Sequence, residues 1–210
     1  MKHLKPIFVI ALVVLSFCAN AQNIKSILTD KESPITYYGI DFTKAILIGD
    51  ANANPDDIIS RQFTGINDLM VNESDKYDIA GALKRSDIPS NLSIVAKRNE
   101  KANPDKLLSS NTEDYNKLQE SDIKSIVSNF NTGGKSGTGL LFVVDGMNKT
   151  KKKLSVWVTF FDSKTKKVLL TERLEGSLGS GFSFRNYWAT GFKKIIDNIK
   201  SKKYKEWTSE

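Results

Sequence analysis

Gly139-Leu140-Leu141-Phe142-Val143-Val144-Asp145-Gly146-Met147, then Leu154-Ser155-Val156-Trp157-Val158-Thr159-Phe160-Phe161-Asp162, then Lys167-Val168-Leu169-Leu170-Thr171-Glu172-Arg173-Leu174-Glu175-Gly176, follow one another along the chain. Each run is rich in β-branched and aromatic residues, which suit a pleated, buried surface. The linkers between them, 148–153 and 163–166, are short and polar, too short for the crossover that parallel neighbours need. The three runs are therefore expected to form an antiparallel meander.

What covers the meander is written just after it. Phe184, Tyr187, Trp188, Gly191, Phe192, Ile195, Ile196 and Ile199 recur at helical spacing, with Arg185, Lys193, Lys194, Asp197 and Lys200 opposite. A face that wide has to pack on something, and the meander is the nearest partner. Upstream, Tyr37–Phe42 and Ala45–Gly49 read as strand material, and Asn91–Lys97 as a further strand. A helix is signalled from Asn54: Asn54 caps it, Pro55 fits its first position, and Asp56 and Asp57 complement the positive dipole end. Ile59, Phe63, Ile66 and Met70 give that helix one apolar face. A shorter helix is expected over 78–85. Residues 99–120 read as the most loop-like stretch, and Ser121 as the cap of a helix carrying Ile123, Ile126, Val127 and Phe130. The sum is an α/β (α+β) fold: a single two-layer sandwich on a mixed or antiparallel sheet, its C-terminal three-strand meander packed by helices.

Residues 1–21 read as an export signal. Lys2, His3 and Lys5 precede an uncharged apolar run from Ile7 to Cys18, and Ala19-Asn20-Ala21 supplies small residues for cleavage between Ala21 and Gln22. Twelve residues of helix rise about 18 Å, short of a ~30 Å hydrocarbon core, so no transmembrane segment is expected once the signal is removed. Lipidation at Cys18 is the alternative, but Phe17 stands where lipoprotein signals place a small residue. The expected organisation is then 1–21 signal, 22–34 N-terminal extension, 35–203 one domain and 204–210 C-terminal tail. The expected location is the periplasm or the exterior.

Cleavage would leave 29 basic against 24 acidic residues, a net charge of +5, and would remove the chain's one cysteine and one histidine, Cys18 and His3. Disulfides, Cys/His metal sites, thiol redox chemistry and Ser-His-Asp catalysis are then excluded. No metal site and no cofactor is expected.

The motifs are weaker than the absences. Gly134-Lys135-Ser136 lacks the first glycine of a phosphate loop, Asn129 standing there, and it lies between a helix and a strand, the wrong order. Ser121-Asp122-Ile123-Lys124 with Lys135-Ser136-Gly137 matches fragments of an acyl-enzyme signature, but the two lie far too close together and the intervening S-D-N is missing. Gly176-Ser177-Leu178-Gly179-Ser180-Gly181 sits between a strand and a helix, the setting for anion binding at a helix N-terminus. Gly179, Gly181 and Arg185 are accordingly the candidate ligand-binding residues, and close helix–sheet approach is the competing reason for the glycines. Lysines cluster at 149–153 and 193–205, a surface for an anionic envelope polymer or simply solvated faces. No nucleic-acid reading motif is present.

Val158–Leu169 resembles the "strand, D-x-x-T-x-x-V, strand" hairpin of the curli-assembly and lipoprotein-activator α/β superfamily. Gly179-Ser180-Gly181-Phe182-Ser183-Phe184-Arg185-Asn186-Tyr187-Trp188-Ala189 is similar to a G-x-G-F-x-[FY]-R-N-Y-W-A signature of uncharacterised exported bacterial proteins. The resemblance covers residues 138–200. It implies a compact α/β domain with an N-terminal strand beside the meander, acting by binding or assembly rather than by catalysis. The leading expectation is an exported, non-catalytic domain that binds an envelope protein or polymer. The alternatives are a histidine-free hydrolase or lyase using Asp145 or Asp162, and a small-ligand carrier using the loop 176–185.

Overall fold

A computed structural model describes residues 23–209; the export-signal reading and its Ala21/Gln22 cleavage site lie outside the described residues. The order is α1 (Ile24–Thr29), β1 (Ile35–Asp41), β2 (Ile46–Ile48), α2 (Pro55–Asp57) running through a π-helical turn into α3 (Phe63–Asn72), α4 (Ile79–Ala82), α5 (Ser93–Asn99), β3 (Leu108–Ser109), α6 (Glu120–Ser128), β4 (Thr138–Asn148), β5 (Lys153–Asp162), β6 (Val168–Ser177), α7 (Phe184–Asn198), and after a second π-helical turn α8 (Tyr204–Ser209).

The meander is present: β4–β5 and β5–β6 pair antiparallel over nearly their whole lengths. The remaining pairings are parallel. β1 lies along the first half of β4, β2 along its end, and β3 beside β2, giving a mixed six-stranded sheet. Alternation along β4 sorts its side chains. Leu140, Phe142, Val144 and Met147 enter the large core with Phe160, Trp188, Phe192 and Ile195, while Leu141 and Val143 enter a smaller cluster on the other face with Phe130, Trp157 and Phe161. The α7 face thus packs where its periodicity requires. α6 covers the opposite face, adding a smaller layer to the expected helix-on-sheet pair.

Two local readings are corrected. The segment 91–97, expected as a strand, enters helix α5, which carries Val95 and Asn99 into the interior. The cap of α6 is Gln119 rather than Ser121: Asp122 accepts from the Gln119 N–H at 2.8 Å in a reciprocal capping box. The Asn54 cap, with Pro55 following, is as expected. The stretch 22–34 contains α1, whose Ile27 and Leu28 are buried. In the stretch 204–210, Trp207 is buried against Phe160 and its Nε1 donates to Glu172 at 2.7 Å.

β1 is irregular at Gly39, whose φ of +95° suits glycine; a side-chain carbon there would also lie 2.6 Å from Asn67 Oδ1. The free edge of this strand is closed by two buried asparagines. Asn67 from α3 accepts from Ile40 N at 2.7 Å, and Asn99 from α5 accepts from Phe42 N at 2.7 Å and donates to Ile40 O at 2.9 Å. They satisfy backbone groups that no neighbouring strand reaches.

Candidate functional site

The glycine loop joins β6 to α7. At Gly176 and Gly191 the strand end and the helix meet backbone to backbone: a side-chain carbon on Gly176 would collide with the Gly191 carbonyl. Gly181 is equally confined, 2.6 Å from Tyr187 N and Cα for any added carbon, whereas Gly179 has ordinary space. Gly179 instead donates its N–H to Thr190 Oγ1 at 2.8 Å. Ser183 caps α7, its hydroxyl accepting from Asn186 N at 3.2 Å, so part of the helix's anion-binding capacity is already used. Arg185 lays its stem over Gly65 of α3.

The three residues singled out by sequence are therefore not convergent. Gly181 lines a surface cleft of about 440 Å³, together with Phe182, Phe184, Tyr187, Trp188 and the ion pair Asp50–Lys149 (2.8 Å); Gly179 and Arg185 do not line it. Phe182 is the exception to the packing around it. Its ring is fully exposed, at 107 % of its reference area, and it is the one large apolar side chain so placed among the described residues. Tyr187 and Trp188 meet edge to face at 5.4 Å behind it, with Phe184 at 6.1 Å from Trp188. Sequence pattern signalled the loop through its glycines, but not that Phe182 would leave the apolar face it precedes.

The carboxylates do not form an acid–base pair. Asp145 is buried and accepts from Leu118 N (3.0 Å) and Trp157 Nε1 (3.3 Å), with Arg173 Nε also at 3.3 Å. Burial pushes its pKa above the usual carboxylate range. Asp162 closes the β5–β6 turn. Burial works against its charged form, but hydrogen bonds from Thr165 and Lys164 hold its pKa below the ordinary value. Asp162 pairs with Thr138, seven residues before Asp145 on β4 and so roughly 23 Å from it. Asp41 is wholly buried and takes Arg98 Nε at 2.7 Å, while Asp57 pairs with Arg61. Among the described residues no group of three or more metal-ligating side chains occurs, and no helix is long and apolar enough to cross a membrane. The lysine clusters are mostly neutralised: Lys149, Lys153, Lys193, Lys200, Lys202 and Lys203 each face an acid.

The fold thus defines a mixed α/β class, an open sheet of six strands packed by helices with a C-terminal meander. No protein-family model matches the chain, and no curated protein does. Among solved structures, the chain is similar to a lipoprotein from Neisseria meningitidis at 14 % identity and a TM-score of 0.31, over 81 % of this chain and 98 % of that one.

Proposed function

We propose that this protein is an exported, non-catalytic binding domain that holds a partner protein of the bacterial envelope through the cleft around Phe182. The export half of the reading rests on the N-terminal pattern of Lys2 and Lys5, the apolar run and Ala19-Asn20-Ala21. The binding half is carried by one observation, the fully exposed Phe182 ring on a glycine-flanked loop beside Tyr187. Large aromatics are the residues that anchor protein interfaces, and an isolated ring held in water without a partner has no contribution to folding. The neighbouring groups favour adhesion over chemistry: aromatic walls and a closed Asp50–Lys149 ion pair, with no second carboxylate in the lining. The hairpin resemblance agrees with a domain that works by binding.

The test is copurification from the native host with wild type and Phe182→Ser. The variant is expected to keep its melting temperature and to lose about 2 kcal/mol of partner affinity, roughly thirtyfold. An unchanged set of retained proteins contradicts the reading.

A further inference from the structure

The strands at the margins of the sheet are treated unequally. β1 is closed by Asn67 and Asn99, and β3 is only two residues long. β6 has neither protection. It runs for ten residues at the end of the strand order, with β5 as its one neighbour. The bond from Leu178 N to Lys152 O (2.9 Å) sets the alternation along it. With 152 opposite 178, residues 172, 174 and 176 turn their backbone groups toward β5, and Thr171, Arg173, Glu175 and Ser177 turn theirs outward. Thr159 and Thr171 agree, their hydroxyls meeting at 2.8 Å as in a closely spaced pair without backbone bonds. Among the described residues no second strand or loop bonds the outward row.

Native sheets guard such an edge with lysine, proline or a bulge. β6 holds no lysine and no proline, and its register slip lies at its first residues, beside Phe160 and Phe161 of β5. Its charges are drawn onto their own domain: Glu172 by Trp207 Nε1 (2.7 Å), Arg173 by Asp145 and Leu118 O, and Glu175 by Lys153 (2.7 Å). An edge left open in this way accepts another strand, and the sequence of β6 matches its own copy. Antiparallel pairing of two β6 strands, outward row to outward row, puts the two-fold axis on a residue. At 172, 173 or 175 the axis sets Glu172, Arg173 or Glu175 against its own charge. At 174 it sets Leu174 beside Leu174, Arg173 opposite Glu175 twice, and Thr171 opposite Ser177 twice. Like charges directly opposite destabilise a strand pair and opposite charges stabilise it, so the axis at 174 is the favoured register.

We infer that this protein pairs with a second copy of itself through β6, the two strands running antiparallel about Leu174 and joining two sheets into one. The register exchanges about eight backbone hydrogen bonds between the copies. A foreign extended peptide would gain the same backbone bonds without this match of side chains. No residue of β6 lines the Phe182 cleft, so the surface is independent of it.

Sedimentation velocity of the chain as purified from its host is expected to show monomer giving way to dimer as concentration rises roughly hundredfold. Amide exchange followed by NMR over the same range reads the interface residue by residue. Protection at Thr171, Arg173, Glu175 and Ser177 should rise at least about tenfold with concentration, while that at Glu172, Leu174 and Gly176, already bonded to β5, stays level. Glu175→Lys puts like charge opposite Arg173 twice, and Thr171→Pro removes an outward N–H where an edge strand tolerates proline. Each should weaken the dimer at least about tenfold and leave the monomer folded. A monomer at every concentration, or a dimer undiminished in both variants, would overturn the inference. So would a dimer without the alternating protection, or outward protection independent of concentration, as a bound foreign peptide gives.

Discussion

Trp188 is 1 % exposed and lies between the sheet and the aromatic pair Phe184 and Tyr187, whereas Lys193, across the same helix, pairs with Asp197 in solvent. Trp188→Ala is therefore expected to cost about 3–5 kcal/mol and Lys193→Ala no more than about 0.5 kcal/mol, measured by denaturant titration. An unmoved midpoint for Trp188→Ala would take the residue out of the core. Asp145 carries a pH signature. Its folded pKa is raised from 3.8, mainly by burial and against the opposing pull of Leu118 N–H, Arg173 and Trp157. The folded protein holds this proton more tightly than the unfolded chain does. The contribution is thus fully present below the unfolded value and lost as pH rises through the folded one. The stability of wild type relative to Asp145→Asn should decline as pH rises above about 4, the unfolded value; a difference that stays flat or grows contradicts the assignment.

At the scale of elements, legibility follows sequence separation. The meander and α7 were readable because each is specified locally, by alternation, short linkers and a long helical stripe. Segment 91–97 was misread because Ile94 and Val95 suit a strand, while the feature that makes it a helix is tertiary: Asn99 must reach β1 from a helical turn. The Gln119–Asp122 box was a visible signal that the competing Ser121 obscured. The parallel placement of β1 and β2 on one edge of β4 depends on contacts about a hundred residues apart, which no local pattern encodes. The same asparagine gives an element-scale test. Asn99→Ala would strand the Phe42 N–H and one bond to Ile40 O in the interior, at an expected cost of about 2–4 kcal/mol, with hydrogen-exchange protection at Phe42 falling in step. A loss below about 0.5 kcal/mol would mean that the strand edge is satisfied otherwise.

For the whole molecule, the sheet is closed by helices on both faces and the flanking helices α1 and α8 meet across the core, where Tyr204 donates to Leu28 O at 3.0 Å. Against this closure the Phe182 loop stands out, the same loop that the glycine pattern singles out in the sequence. Its glycine spacing suits anion binding at a helix N-terminus, but two of the glycines serve close backbone approach, at Gly176 and Gly181, and Arg185 turns toward α3. The reading as an exported partner-binding domain therefore stands on what that loop touches in the cell. The most direct measurement is photocrosslinking in the native host, with a benzophenone amino acid at position 182 and, as control, at exposed position 164 in the distant β5–β6 turn. The account requires a discrete protein adduct at 182 that is absent at 164 and is reduced when Tyr187→Ala is added. No adduct at 182, or the same adduct at both positions, contradicts it.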